Sequence, residues 1–379
     1  PRLLTPKLQP YLGSKKALII VGPRQVGKTT LIRTLTQTAN LDALWLSGDD
    51  PQVRASLHDI SSPQLKTIIG NYKTVVVDEA QRLHNAGLTL KLVTDQLEGV
   101  QLLVTGSSAL DLAAETKESL VGRKFEFLLL PLSFREMADH HGYLTERSLL
   151  EHRMLYGYYP EVVNSSDPAL AQRVLNELTE GLMYKDLLML DSLKKPTLLV
   201  KILQALALQM GGEVSYREVG QLVGADQVTV ERYISLLEQA YIVFRLSAFS
   251  RNLRNEIKRT RKIYFYDNGI RNSILRNFAP LALRQDTGAL WENFLMVERL
   301  KYNLYNDRFC NAYFWRSTTQ QEIDYIEEKD GILHAFEFKW QIKRGKSFPA
   351  SFLEAYPGTQ TATIAQENFS SFLGLEMGD

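Results

Sequence analysis

The stretch KALIIVGPRQVGKTTLIRTL, residues 16–35, decides the fold. It begins with an apolar run at 17–21, continues with the spacing G-x-x-x-x-G-K-T at 22–29, and ends in a helical pattern. Glycines at this spacing let backbone N–H groups wrap phosphate oxygens, and the N-terminus of the following helix adds a positive dipole. The stretch therefore predicts a phosphate-binding loop between a buried strand and a helix.

A second strand supplies acidic residues for the same predicted site. The segment YKTVVVDEAQRL, residues 72–83, ends its strand-like run in Asp78 and Glu79 and resembles a Walker B element. In such a site Lys28 reaches the β- and γ-phosphates, while the Thr29 hydroxyl and the Asp78 carboxylate hold Mg²⁺ and its water shell. Glu79 is then placed to polarise the attacking water.

A third apolar strand, QLLVTGSSAL at residues 101–110, ends in small polar side chains. Either Ser107 or Ser108 is a candidate sensor of the γ-phosphate. We predict contacts with ATP and Mg²⁺ from Gly22, Pro23, Arg24, Gln25, Val26, Gly27, Lys28, Thr29, Thr30, Asp78 and Ser107. Strands that alternate with helices predict an α/β fold with a parallel sheet covered on both faces.

Composition limits the remaining possibilities. With 379 residues the chain is long enough for two or three domains, and its net charge of +1 confines any nucleic-acid surface to a local patch. The lone cysteine, Cys310, cannot form an internal disulfide, and no apolar run has the length that spans a bilayer. We therefore expect a cytoplasmic protein with no membrane partner.

Motifs along nearly the whole chain resemble one family of prokaryotic AAA-type ATPases. They are GPRQVGKTT, VVVDEAQ, TGSS, LVGR at 120–123, FEFLLLPLSFREM, YYPEVV and GALWENF. The resemblance implies an AAA-type P-loop ATPase core, a helical lid, a winged helix and a C-terminal α/β restriction-endonuclease-like domain. With the residue patterns it divides the chain into 1–144, 145–210, 211–266 and 267–379.

The same resemblance implies an arginine finger. Arg123 is its candidate, supplied to the nucleotide of a neighbouring subunit, and Arg24 inside the phosphate-binding loop competes with it. A finger in trans requires a neighbour, so we expect a homo-oligomer.

The segment at 211–246 has helix-turn-helix spacing. Asp226 is placed to cap a second helix, and the strands YIVFRL and KIYFY would form a wing. A basic segment, FSRNLRNEIKRTRK, lies between those strands. The predicted DNA contacts are nonspecific or structure-specific and come from Arg232, Arg251, Arg254, Lys258, Arg259, Arg261 and Lys262.

A hairpin, EIDYIEEKDGILHAFEFKW at 322–340, carries a third set of charged residues. The pair Asp330-Gly331 predicts a type I′ turn, which places Asp324 opposite Glu337, with Lys339 on the same face. The opposite face carries Ile323, Tyr325, Phe336, Phe338 and Trp340. Opposed carboxylates destabilise a sheet unless something offsets their charge, and Mg²⁺ or Mn²⁺ would do so.

This hairpin resembles the PD-(D/E)xK nuclease signature. The upstream helical glutamate that the signature requires is Glu292, with Glu298 as the alternative. The metal ligands are then Glu292, Asp324 and Glu337, and Lys339 orients the attacking water or stabilises the phosphate charge. An amphipathic hairpin with a solvated charged face would show the same pattern.

The predictions combine into an Mg²⁺-dependent ATPase that binds and remodels DNA, branched DNA included, with a C-terminal domain that grips or cuts it. Its predicted catalytic residues are Lys28, Glu79, Arg123, Asp324, Glu337 and Lys339. The alternative is an ATP-controlled assembly switch in defence or toxin regulation with a non-catalytic C-terminal domain. A third reading is an endonuclease whose ATPase only gates access.

Overall fold

The structure is a computed structural model. It describes residues 1–107, 120–165, 167–182, 195–250, 261–317, 319–341 and 348–375. The chain divides into two compact units: residues 1–132 with 239–241 form the first, and residues 133–238 with 242–379 form the second.

The first unit is built on a five-stranded parallel sheet. Its strands are β1 Ala17–Val21, β2 Ala43–Ser47, β3 Thr74–Asp78, β4 Gln101–Gly106 and β5 Lys124–Leu128. Their order across the sheet is β2-β3-β4-β1-β5, and every neighbouring pair is parallel. The helices are α1 Leu4–Leu8, α2 Lys28–Thr38, α3 Pro51–Ser56, α4 Ser62–Ile69 and α5 Ala86–Gln96.

Burial explains why these segments form a parallel sheet. Each residue of β1 is buried, so both faces of this interior strand are covered. On one face, Val75 and Val77 share a core with Leu65 of α4 and Leu90 of α5. The predicted α/β fold with a covered parallel sheet is confirmed for this unit.

The second unit begins with helices. They are α6 Phe134–His141, α7 Tyr143–Ser148, α8 Leu150–Tyr156, α9 Pro160–Val163, α10 Pro168–Gly181 and α11 Pro196–Leu208. A helix-turn-helix follows, with α12 Tyr216–Val223 and α13 Gln227–Gln239. The Thr229 amide donates to the Asp226 carboxylate over 2.8 Å, which is the predicted cap at the start of α13.

A seven-stranded sheet occupies the rest of this unit. Its strands are β6 Glu213–Val214, β7 Val243–Ala248, β8 Arg261–Phe265, β9 Asn311–Arg316, β10 Glu322–Lys329, β11 Ile332–Phe338 and β12 Gln360–Ile364. The helices beside it are α14 Asn268–Ile274, α15 Thr287–Tyr305, α16 Ala350–Ala355 and α17 Phe369–Phe372. Across the sheet the order is β12-β11-β10-β9-β7-β8-β6.

This sheet crosses the predicted boundary between 266 and 267. Strands β7 and β9 pair in parallel, with Ser247 opposite Tyr313 and Ala248 opposite Phe314. The strands of the predicted wing and the C-terminal hairpin therefore belong to one sheet. The predicted segments 211–266 and 267–379 are therefore not separate in the structure. The edge of β7 that a separate winged-helix domain would leave open is paired with β9.

The hairpin has the predicted turn and register. Asp330 and Gly331 have φ angles of 52° and 79°, and Lys329 lies opposite Ile332. Positive φ at both central residues is what a type I′ turn requires. The predicted apolar face is only partly right: Tyr325, Phe336 and Phe338 gather around Phe372. Ile323 instead shares a core with Ile326, Ala335 and Phe352.

A β-bulge explains the displaced isoleucine. The pairing of β10 with β9 shifts register between Ile323 and Ile326, so the alternation of faces is interrupted at Asp324. A bulge inserts one unpaired residue and bends the strand, and it changes which face the next side chain takes. Asp324 is thus in the irregular part of the strand.

No helix among the described residues combines the length and the apolar character needed to cross a membrane.

Candidate functional site

Two glycines shape the loop between β1 and α2. A Cβ atom on Gly22 would lie 2.0 Å from the Leu129 carbonyl oxygen, so no side chain fits there. Gly27, directly before α2, has φ of 92°, a conformation that glycine adopts without strain. The loop needs both glycines, one for close backbone approach and one for its left-handed turn.

The predicted phosphate-contacting lysine lies inside this loop. Lys28 is the first residue of α2, is 5% exposed, and its ammonium donates to the carbonyls of Gly22 and Pro23 over 2.9 and 2.8 Å. The other loop residues, Arg24, Gln25 and Val26, lie between these elements, and Thr30 is in the first turn of α2. The positive charge is therefore held where the loop would receive a phosphate.

The predicted magnesium ligands meet at the carboxyl ends of neighbouring strands. The Thr29 hydroxyl lies 3.0 Å from each carboxylate oxygen of Asp78, the last residue of β3. The Thr105 hydroxyl of β4 donates to Asp78 Oδ1 over 2.5 Å. A carboxylate and a hydroxyl are hard oxygen donors of the kind Mg²⁺ prefers, so these residues fit the ion that their sequence predicts.

Glu79 is held by two contacts. Its amide donates to the Thr105 hydroxyl over 2.9 Å, and its carboxylate accepts from Gln81 Nε2 over 2.5 Å. Gln81 Nε2 also donates to the Ser107 hydroxyl over 2.7 Å. Glu79 has φ of 52°, and such strained backbone is concentrated at functional sites.

Sequence reasoning missed Thr105 and Gln81. Both lie inside quoted motifs, but only the strand order shows their importance, because β4 lies between β3 and β1. The Thr105 hydroxyl therefore contacts Asp78, which ends β3, and the amide of Glu79, which follows it. Of the two candidate sensor serines, Ser107 is next to this group, and Ser108 lies outside the described residues.

Arg123, the candidate finger, forms an ion pair within its own unit. Its Nε lies 2.5 Å from Asp95 Oδ1, and both side chains are partly exposed. Exposed pairs of this kind contribute about 0–1 kcal/mol, so releasing the guanidinium costs little. Arg24, the competing candidate, is partly buried in the loop.

A second charged group lies in the other unit, around the ammonium of Lys262. This side chain belongs to β8, is 1% exposed, and pairs with Glu292 over 3.1 Å and with Glu322. Burial lowers the pKa of Lys262, but the Glu292 and Glu322 carboxylates outweigh it and hold the pKa above its ordinary value. Lys262 is therefore a buried cation.

Glu292 is the helical glutamate that faces this group. Its Oε1 accepts hydrogen bonds from Lys262 Nζ over 3.1 Å and from the Tyr264 hydroxyl over 2.6 Å. Burial, with the charge of Asp324 adding to it, raises the pKa of Glu292 to about 7. The alternative, Glu298, pairs instead with Lys301 over 2.7 Å and accepts from the Phe134 amide at the start of α6.

Lys339 joins the two carboxylates of the hairpin. Its ammonium lies 3.0 Å from Glu337 Oε2 and 3.4 Å from Asp324 Oδ2. Asp324 also accepts from the Phe338 amide over 2.7 Å, which fixes its carboxylate at the bulge. Desolvation lowers the pKa of Lys339, but Asp324 and Glu337 raise it further, so the pKa is above its ordinary value.

We call these six side chains the acid–lysine cluster: Lys262, Glu292, Glu322, Asp324, Glu337 and Lys339. The cluster has two more carboxylates than ammonium groups, and Arg316 touches its rim through Glu322. Carboxylate oxygens are donors that Mg²⁺ and Mn²⁺ prefer, and metal binding by Glu292, Asp324 and Glu337 stays a prediction. Sequence reasoning found four of the six and missed Lys262 and Glu322 as cluster members.

The predicted DNA contacts divide into four groups. Arg232 is exposed on α13. Arg261 donates to the Tyr216 hydroxyl and pairs with Glu231 over 3.3 Å, so it ties β8 to both helices of the helix-turn-helix. The prediction for Lys262 is wrong, because a side chain buried among carboxylates cannot reach a phosphate. Arg251, Arg254, Lys258 and Arg259 lie outside the described residues.

Comparison with known families covers most of the chain in three pieces. Residues 14–138 match a family described as an AAA domain. Residues 147–281 and 287–370 match two families, each described as a domain of unknown function. The first segment is thus an AAA-type P-loop ATPase domain, as its motifs predicted, while the winged helix and the nuclease-like domain stay predictions.

Similar whole proteins carry no activity in their names. An uncharacterized protein of Mycobacterium tuberculosis is 27% identical over 338 residues, which cover 88% of this chain and 72% of that protein. An uncharacterized protein of Methanocaldococcus jannaschii is 24% identical over 345 residues, with coverages of 85% and 75%.

Among solved structures, the RuvB Holliday junction branch migration motor of Thermotoga maritima is 15% identical. The match covers 64% of this chain and 88% of that one, with a TM-score of 0.29. This TM-score is too low for the likeness to carry an argument about the site.

Removing the buried ammonium tests the charge balance of the acid–lysine cluster. Lys262→Met leaves Glu292 and Glu322 without their shared cation, and we expect a loss of about 3–5 kcal/mol in the free energy of unfolding. Adding Glu292→Gln should recover part of it, because one buried charge is then removed. Denaturant unfolding followed by tryptophan fluorescence measures this free energy, since Trp291, Trp315 and Trp340 lie in this unit.

The control is Lys329→Met, beside the hairpin turn. Equal losses of stability in Lys262→Met and Lys329→Met would contradict the role of Lys262 as a buried cation.

The raised pKa of Glu292 predicts a pH dependence of stability. Between its ordinary value of 4.5 and about 7, the folded protein keeps a proton that the unfolded chain releases. The free energy of unfolding contributed by this group is therefore largest at low pH and falls as pH rises through this window, by up to about 3 kcal/mol. Glu292→Gln removes the titration, so the difference between the two proteins should change between pH 5 and 8. A constant difference would show that Glu292 ionises normally.

Proposed function

We propose that this protein is an Mg²⁺-dependent ATPase that binds and remodels DNA, and that its acid–lysine cluster grips or cuts the DNA. The observation that carries the ATPase part is the group of Lys28, Thr29, Asp78 and Thr105 at the carboxyl ends of the parallel strands. The match of residues 14–138 to an AAA domain supports it.

The residues of this first unit have separable roles in the proposed reaction. Lys28 binds the β- and γ-phosphates with its ammonium, and the loop amides orient them. Bound Mg²⁺ supplies charge neutralisation on the phosphate oxygens, held by Thr29 and Asp78. Glu79 accepts a hydrogen bond from the attacking water and takes its proton, while Gln81 and Thr105 fix where the Glu79 carboxylate and amide lie.

The DNA part rests on the second unit. The helix-turn-helix with strands β6, β7 and β8 has the element order of a winged helix, and Arg232 on α13 is exposed. Asp324 and Glu337 would hold a divalent ion beside Lys339. Glu292 would be a further ligand of this ion, while its Oε1 also accepts hydrogen bonds from Lys262 and Tyr264. The bulge at Asp324 agrees with such a role, because bulges beside active sites re-aim side chains.

A second candidate function is the ATP-controlled assembly switch. Arg261 is engaged with Tyr216 and Glu231, and Lys262 is buried, so two predicted DNA contacts serve the interior of the second unit. This observation favours a helix-turn-helix that packs instead of binding DNA. The two functions differ in whether DNA changes ATP turnover.

One experiment separates these functions. ATP hydrolysis and strand cleavage are measured together, with Mg²⁺ or Mn²⁺, on linear and four-way DNA. Lys28→Ala should lower ATP turnover by about 10²–10³ or more because the phosphates lose a buried charge. Asp324→Ala should abolish cleavage and leave turnover intact. Lys66→Ala on α4 and Glu328→Ala on β10 are the matched controls.

Each outcome of this experiment selects one reading. DNA-stimulated turnover without cleavage leaves the acid–lysine cluster as a DNA grip. Turnover that ignores DNA rejects the DNA function and selects the switch. Cleavage that persists in Lys28→Ala selects the nuclease that the ATPase only gates, and normal turnover in that variant rejects the ATPase mechanism.

We also propose that Arg123 acts on the nucleotide of a neighbouring subunit. Lys28→Ala and Arg123→Ala subunits are each inactive alone under this proposal. Mixed, they should regain part of the ATP turnover, because an interface between the two can combine an intact loop with an intact finger. If light scattering confirms assembly and the mixture regains no ATP turnover, the proposal is wrong, and Arg123 serves only in its ion pair with Asp95.

A further inference from the structure

Two histidines and an aspartate meet on the surface of the first unit, apart from the nucleotide site. His58 and Asp59 lie between α3 and α4, and His84 lies just before α5. The imidazole rings are stacked, with centroids 4.4 Å apart and 12° between their planes. One ligand atom from each of the three residues lies within 4.8 Å of the other two.

The spacing of these atoms suits a metal ion. Asp59 Oδ2 lies 3.3 Å from His58 Nδ1, and Asp59 Oδ1 lies 3.5 Å from His84 Nδ1. Tetrahedral zinc with bonds of about 2.0–2.1 Å separates its ligand atoms by about 3.4 Å. The distances therefore suit one ion, but an imidazole binds a metal in the plane of its ring, so one of the two exposed rings has to rotate out of the stack when the ion binds.

A neighbouring side chain orients the carboxylate. Asn85 Nδ2 donates to Asp59 Oδ1 over 3.0 Å. Hydrogen bonds from outer residues to ligating carboxylates are a regular part of metal sites. Asp59 and Asn85 both have left-handed backbone, with φ of 46° and 50°.

We propose that His58, Asp59 and His84 bind a transition-metal dication of the zinc class, with solvent completing the coordination. Two imidazoles and one carboxylate select zinc, nickel, cobalt or copper over magnesium, because magnesium prefers oxygen ligands. The side chains are 56–59% exposed, so the ion has direct access. The site is thus distinct in chemistry from the oxygen donors of Thr29 and Asp78.

The ion would join two segments that are 26 positions apart in the chain, as the contact of Asp59 with Asn85 already does. His84 follows Glu79 and Gln81 on the segment that leaves β3. A bound ion ties this segment to the turn between α3 and α4. Backbone amides of residues 80–85 therefore exchange hydrogen more slowly when the ion is bound.

The test measures metal binding directly. Full-length protein is freed of metal by chelation, and zinc is titrated by calorimetry with magnesium in excess, for wild type, His58→Gln, His84→Gln and the exposed control His140→Gln. We expect one strong site per chain in wild type and in the control, weakened at least about tenfold in the other two variants. Cobalt should give the visible absorption of a tetrahedral complex in wild type, and this absorption should be lost in His84→Gln.

Further readouts keep the test decisive. Circular dichroism checks that each variant is folded. We expect folding to be retained, because the substituted side chains are exposed. Asp78→Asn should keep the zinc site, because the nucleotide site is separate. Zinc affinity that is unchanged in His84→Gln, zinc that magnesium displaces, or the absence of binding at millimolar zinc would each overturn the proposal.

Discussion

The buried ammonium of Lys262 is the interaction on which the second unit depends. Four partly buried carboxylates come together where the seven-stranded sheet meets α15, and this concentration of negative charge is unfavourable without compensation. Lys262 provides it from β8, toward Glu292 on α15 and Glu322 on β10. One side chain thus links a strand of the predicted wing, the hairpin and the long helix.

This arrangement connects fold and chemistry. The pairing of β7 with β9 places β8 and the hairpin in one sheet, with β7 and β9 between them, and Lys262 of β8 contacts Glu322 at the start of β10. Lys262 and Lys339 already offset part of the negative charge of the four carboxylates, so less of this charge is left for a divalent ion to neutralise. The two lysines therefore already make the cluster an internal charge network, and a metal-dependent nuclease site among the same six side chains stays a proposal.

In the first unit, one threonine side chain contacts two residues of the nucleotide site. Asp78 receives hydrogen bonds from both Thr29 and Thr105, so a helix start and a neighbouring strand orient the same carboxylate. Thr105 also accepts from the Glu79 amide, which fixes the backbone at the left-handed residue. The two proposed steps, holding Mg²⁺ and activating water, thus share one hydroxyl.

Local patterns in the sequence determined the phosphate-binding loop, the parallel sheet and the hairpin turn with its register, because glycine spacing, strand alternation and a type I′ turn are properties of short segments. The tertiary structure decided the features that depend on residues far apart in the chain. In the second unit, Glu292 and not Glu298 faces the hairpin, Ile323 leaves its expected face at a bulge, and Lys262 is buried. In the first unit, β4 lies between β1 and β3, which gives Thr105 its contacts, and His58 meets His84. Strand order and buried charge pairing arise from long-range packing, and no local pattern in the chain encodes them.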